Sequence, residues 1–168
     1  MAQTEIDAAR RTLGPDLFAQ EYEAEIVDLR GAAIFRRDWF AYYEKSELPP
    51  HGLRIVASVD ANFKEGKAND YVAVTIWGCA GGKMYLLDAA NQKIGFVDTL
   101  ALIRTLWAKW GFRELLVEDK ANGSAVIDTL KREGAGYSIY ACNPLGGKVA
   151  RGNAAAPAYE QGRVLHPV

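Results

Sequence analysis

Two stretches, LRIVASVD (Leu53–Asp60) and RELLVED (Arg113–Asp119), decide the reading of this 168-residue chain. Each is a strand-sized apolar run that ends in a carboxylate. Apolar character of that length fits a strand buried on both faces. Between them lie YVAVTIWGC (Tyr71–Cys79) and KMYLLDAA (Lys83–Ala90), separated by Ala80-Gly81-Gly82. β-Branched and aromatic residues on either side of a glycine turn predict an antiparallel hairpin. Phe96, Leu100, Ile103, Trp107 and Trp110 then recur at alternating spacings of four and three. That is the period of an amphipathic helix, and Gly111 ends it.

Downstream, ANGSAVIDTLKRE (121–133) predicts a second helix stopped by Gly134 and Gly136. YSIYACNP (137–144) predicts a fifth strand, Lys148–Glu160 a third helix with Pro157 near its end, and RVLHPV an extended segment. A hairpin followed by β-α-β-α-β predicts an α/β fold with a mixed sheet flanked by helices. The right-handed crossover rule sets the Arg113–Asp119 strand beside the Leu53–Asp60 strand.

The first fifty residues have another texture. They are rich in charge and in aromatics: Phe18, Tyr22, Phe35, Trp39, Phe40, Tyr42 and Tyr43. Short helices are expected near Thr4–Leu13 and Trp39–Lys45. The aromatics are read as packing, since each buries a large area. Pro49-Pro50 marks a break, so residues 1–50 are set apart from a domain spanning 51–168.

Lys and Arg number 20 and Asp and Glu 21, for a formal net charge of -1. This excludes binding to phosphates by bulk charge and leaves room for a local basic patch. Hydrophobic residues at 49% and charged residues at 24% are ordinary globular composition. Cys79 and Cys142 are far apart. With His51 and His166 they make neither a zinc framework nor a disulfide scaffold, which fits a reducing compartment. The apolar runs are strand-sized, so no membrane span is expected, and MAQTEIDAARR has no secretory core. The motifs GxxxxGK[ST], GxGxxG, HExxH and GxSxG do not occur in the sequence.

If the two deciding strands are parallel neighbours, Asp60 and Glu118 emerge at one edge of the sheet. They then repel each other and lose hydration, and a divalent cation relieves both costs. Carboxylate oxygens suit Mg²⁺ or Mn²⁺. Two such ions about 4 Å apart can activate water and stabilise a leaving oxygen in phosphodiester cleavage. Asp70 either supports that site or is a turn residue after Asn69. Asp119 is read as the cap of the helix starting at Ala121. Asp88, Asp98 and Asp128 are expected to face solvent. Lys148 and Arg151 share a helix face behind Gly146-Gly147, where a phosphate backbone could approach. Lys120, Lys64, Lys67 and Arg163 could extend that cationic rim. Solvated surface charges are the plain alternative.

Three segments together carry a resemblance: SVDANFKEGKANDYVAVTIWG (58–78), LLVEDKANGSAVIDTL (115–130) and NPLGGKVARGNAAAPAYEQGRVLHP (143–167). From Leu53 onward the chain resembles the C-terminal nuclease domain of tailed-phage terminase large subunits. FAQEYEAEIVDLRGAAIFRRDWFAYYE (18–44) looks like the segment that joins the ATPase motor of such proteins to the nuclease. The resemblance implies an RNase H-like fold and metal-dependent cutting of double-stranded DNA during genome packaging in the host cytoplasm, with portal protein and small terminase subunit as further partners. It maps the metal carboxylates onto Asp60 and Glu118 and matches Asp70 to a recurrent acidic position. It also implies a third metal carboxylate beyond Pro167 and an ATPase half outside this chain, so slow or absent cutting is expected of these 168 residues alone. Two alternatives accompany this reading: a non-catalytic prophage remnant that binds DNA or portal, and an RNase H-like nuclease of the resolvase type.

Overall fold

The computed structural model describes residues 33–61, 71–119, 122–143 and 146–168. Its strands are β1 (Ala41–Tyr43), β2 (Arg54–Ala61), β3 (Tyr71–Ala80), β4 (Lys83–Lys93), β5 (Glu114–Glu118), β6 (Ser138–Cys142) and β7 (Val164–Pro167). Its helices are α1 (Phe96–Trp110), α2 (Gly123–Arg132) and α3 (Lys148–Glu160). The chain divides into two compact units, Met1–Ala41 with Leu145–Arg163, and Tyr42–Pro144 with Val164–Val168.

The second unit is built on one seven-stranded sheet in the order β1-β7-β4-β3-β2-β5-β6. β2, β3 and β4 form an antiparallel meander, while β5 runs parallel to β2, β6 to β5, and β7 to β4. The sheet is mixed, and β5 lies beside β2 as the crossover rule requires. The hairpin extends three residues past the expected end of its second strand, to Lys93. One irregularity interrupts it: Ile76 pairs with Asp88 and Trp77 with Leu86, so Leu87 is an extra residue, a β-bulge.

Side-chain alternation sorts the strands into two faces. Ala57, Val59 and Ala61 of β2, Val72, Val74 and Ile76 of β3, and Leu115 and Val117 of β5 form one face, each at most 2% exposed. Leu100, Ile103 and Leu106 of α1 and Val126, Ile127 and Leu130 of α2 pack against it in a single core. Burying each such aliphatic side chain contributes roughly 1.5–3 kcal/mol. The core explains why α1 forms here: its buried residues recur every three or four positions. The buried residues are Thr99, Leu100, Ile103 and Leu106, and the expected Phe96 and Trp110 are half-buried at the two ends. Leu106 is buried, and Trp107 is 39% exposed, with its indole against Tyr137 at 5.6 Å. Gly111 ends the helix in the left-handed region at φ 59°, and its N–H donates to the Trp107 carbonyl. A residue with a Cβ is disfavoured in that conformation.

In the first unit, Tyr159 of α3 meets the rings of Phe35 at 4.9 Å and Phe40 at 5.3 Å. Gly152 lets α3 approach Ile34, to which an added Cβ would lie 3.2 Å away. These aromatics are packing residues, as read from the sequence. Phe18, Tyr22 and Thr4–Leu13 lie outside the described residues.

Three local expectations are corrected. Trp39–Lys45 is not a helix: short 3₁₀ turns at Arg37–Trp39 and Lys45–Glu47 flank β1, because Glu44 and Glu47 form a reciprocal cap that starts a new turn there. Asp88 does not face solvent: it accepts hydrogen bonds from Lys109 Nζ at 2.7 Å and Trp110 Nε1 at 2.8 Å. Asp119 accepts from the Ser124 hydroxyl at 2.5 Å, and Asn122 occupies the N-cap position of α2.

Candidate active site

The second face of the sheet carries the polar residues. On β2 it holds Arg54, Val56, Ser58 and Asp60, and on β5 Glu114, Leu116 and Glu118, the complements of the core residues in a two-residue period. Arg54 Nη1 donates to Glu114 Oε1 at 3.0 Å across the two strands, which ties this face together at its lower end. At the upper end the parallel register pairs Val59 with Val117. Asp60 and Glu118 are the next residues on those two strands. They point to the same side, at strand ends about 4.8 Å apart. Asp60 is exposed and Glu118 half-buried.

The backbone around Glu118 is held from two directions. The N–H of the next residue, Asp119, donates to the Cys142 carbonyl at 2.9 Å, and Glu118 itself pairs with Cys142 on β6. From the other side α2 begins directly over the strand end. Gly123 is buried against the Glu118 main chain, and a Cβ added there would overlap the Glu118 carbonyl oxygen. The glycine of VEDKANG therefore permits a close approach rather than an unusual torsion.

Asp70 and Lys120 lie outside the described residues, as do Lys64 and Lys67. Lys148 and Arg151 occupy the first turn of α3, in the other compact unit, with Lys148 exposed and Arg151 half-buried. Among the described residues no group of three or more His, Cys, Asp or Glu side chains is placed to hold a metal ion. The described donors are thus two carboxylates. That set fits a hard divalent ion that keeps most of its shell as water and substrate oxygens. It does not fit a closed structural zinc site, which takes four protein ligands.

Sequence reading missed the rest of this edge. Asp60 pairs with Ala73, Ala73 with Asn91, and Tyr71 with Lys93, so Tyr71, Asn91 and Lys93 share the face and the end of the sheet that bear Asp60. Lys93 Nζ sits 5.0 Å from the centre of the Tyr71 ring. These residues belong to no motif. Finding them needs the hairpin register, which the sequence pattern ends too early.

The pKa shifts lie away from this edge. The Lys109 ammonium, with help from the Trp110 indole and the Ala89 N–H, holds the Asp88 carboxyl below the usual carboxylate range against the effect of burial. Burial pushes the Tyr137 and Tyr159 phenols up and the His166 imidazole down. Among the described residues no helix is long and apolar enough to cross a membrane.

Comparison with known proteins agrees with this architecture. A family model for the terminase RNase H-like domain matches residues 57–168. The large terminase of a thermophilic bacteriophage superposes with a TM-score of 0.60 at 14% identity, over 99% of this chain and 41% of that one. The large terminase nuclease of a second thermophilic phage, G20c, solved with bound zinc, superposes at 0.53 with 16% identity and 77% of each chain covered. The same nuclease with bound magnesium gives 0.52 at 17% identity, over 77% of this chain and 70% of that one. Such identities speak for the fold. No curated protein matches the sequence. The chain spans about two fifths of the first of these large terminases, 41% of its length. An α/β chain whose mixed sheet ends in two adjacent carboxylates, and whose residues 57–168 match that model, belongs to the terminase RNase H-like domain family.

Proposed function

We propose that this chain supplies the nuclease function of a phage large terminase: divalent-metal-dependent cutting of double-stranded DNA during genome packaging. The observation that carries the reading is the juxtaposition of Asp60 and Glu118 on one face at the ends of parallel strands β2 and β5. G20c nuclease structures with bound zinc and magnesium support divalent metal use in relatives of this fold. Asp60 and Glu118 would hold the ion, Mg²⁺ or Mn²⁺, with Asp70 as a further carboxylate. When bound, such an ion lowers the pKa of its water and stabilises charge on phosphoryl oxygens.

The chain's own residues have defined tasks in this reading. The β2–β5 register fixes the spacing of the carboxylates. Gly123 and the Asp119–Cys142 hydrogen bond keep the Glu118 main chain in place, so its side chain is oriented before an ion or a phosphate arrives. Lys148, Arg151 and Lys120 contact phosphates. Residues 51–168 form the nuclease domain and 1–50 the connection to a motor, within a host-cytoplasmic assembly that includes portal protein and a small terminase subunit.

Calorimetry with Mn²⁺ and relaxation of supercoiled plasmid test the reading together. Wild type should bind Mn²⁺ weakly and nick plasmid slowly or not at all. Asp60→Ala and Glu118→Ala should lose the Mn²⁺ binding and whatever nicking wild type shows. Mn²⁺ binding that is equal in all three proteins would sink this site.

A further inference from the structure

We infer that Lys93, held over the ring of Tyr71, is a phosphate contact on the DNA track leading to Asp60 and Glu118. The inference rests on the nuclease reading above and deepens it by naming where the substrate backbone runs. Three strand residues of β2–β6 are cationic: Arg54, Lys83 and Lys93. Arg54 opens β2 and is paired with Glu114. Lys83 opens β4 opposite Ala80. Both stand at the end of the sheet away from the carboxylates. Lys93 stands at the carboxylate end, and the register through Asp60–Ala73 and Tyr71–Lys93 puts it on the same face. Two strand spacings across and two residues along set it about 12 Å from Asp60, a few phosphates away on one DNA strand.

How Lys93 is held matters as much as where it stands. Among the described residues it forms no ion pair, and its ammonium rests on the Tyr71 ring. Arg54, Arg104 and Lys109 by contrast face carboxylates that cancel their charge locally. An aromatic face orients an ammonium without neutralising it, so the full charge of Lys93 remains for an anion. Tyr71 is itself 55% exposed. A duplex approaching two carboxylates meets repulsion, and a fixed cation on the same face offsets it while setting the direction of the backbone.

The test is fluorescence anisotropy with a double-stranded oligonucleotide in EDTA, using the full chain over a range of salt concentrations. Lys93→Gln should lower affinity about three- to tenfold and reduce the salt slope by about one. Lys93→Arg and Tyr71→Phe should remain near wild type, and Tyr71→Leu should fall between. Unchanged affinity and slope in Lys93→Gln overturns the inference. So does an equal loss in Lys93→Gln and Lys93→Arg, which would make the pair a scaffold contact. If Lys148→Ala with Arg151→Ala weakens binding while Lys93→Gln does not, this inference falls and the nuclease reading stands. If wild type shows no salt-dependent binding, both fall.

Discussion

The two faces of one sheet obey opposite rules. On β5, Leu115 and Val117 are fully buried under α1 and α2, while Glu114, Leu116 and Glu118, one residue out of step, are half-buried on the other side. On β2 the same interleaving separates Val59 and Ala61 from Ser58 and Asp60. The core face has no chemistry and sets the register. The opposite face carries the candidate carboxylates Asp60 and Glu118 and takes its register from the core face. A slip by one residue would send Asp60 into the core and Val59 to the site. Apolar packing therefore maintains the spacing of two like charges that by themselves would separate.

Substitutions on the two faces can break this contrast. The largest effect is expected from Leu115→Ala, which should cost about 2–5 kcal/mol in urea unfolding. Leu116→Ala next door should cost less than half as much, and equal costs would refute the division into faces. Gly123→Ala should follow, at about 1–3 kcal/mol, since an added Cβ has only the Glu118 main chain to displace. That variant joins the faces: it should also weaken Mn²⁺ binding, because the carbonyl it displaces belongs to Glu118, a proposed metal carboxylate. Lower stability with unaltered Mn²⁺ binding would mean that the contact is packing alone.

Asp88→Asn tests the edge of the core face and should cost about 1 kcal/mol at pH 7. The Asp88 carboxyl titrates below its unfolded counterpart, whose pKa is about 3.9. Its stabilisation is therefore complete above that value and disappears as pH falls through the folded value. The gap between wild type and variant should close in melts taken below about pH 4, and a gap independent of pH would contradict the assignment. The smallest effect on stability belongs to Asp60→Asn and Glu118→Gln, each within about 0.5 kcal/mol of wild type in thermal melts. Neither change removes a core contact. A large loss from either would mean that these carboxylates support the fold.

The parts legible in the sequence are those whose period is long enough to read. α1 is bounded by Phe96 and Trp110 as its spacing implied, and β2 and β5 end within a residue of the carboxylates that closed their apolar runs. β1 was not legible: three residues, Ala41-Tyr42-Tyr43, carry too few repeats for an alternation, and their pairing depends on a strand more than a hundred residues later. Trp107 misled for another reason. It fits the helical stripe, yet Leu106 fills the core and the indole finds Tyr137 instead. Asp60 and Glu118 were recognisable because carboxylates interrupt apolar strands. Lys93 and Tyr71 were not, because a cation opposite an aromatic becomes meaningful only once the register is known.

The bulge at Leu87 has a consequence for which changes of length this fold can absorb. Strand residues alternate like even and odd numbers, and one uncounted residue exchanges the two classes. Below the bulge, Met84 and Leu86 lie on the face of Asp60; above it, Ala89, Asn91 and Lys93 do. Deleting Leu87 itself removes the bulge and leaves Leu86 opposite Trp77 and Asp88 opposite Ile76, so both halves keep their faces. Deleting one residue from the regular ladder between Asp88 and Lys93 leaves two other outcomes: either the strand beyond the deletion turns over, carrying Lys93 to the helical side, or its pairing with β3 is lost. Deleting two residues preserves parity and only shortens the ribbon. Lineages of this domain should therefore tolerate hairpins that differ in length by even steps and reject odd ones, unless the bulge itself is gained or lost in the same event.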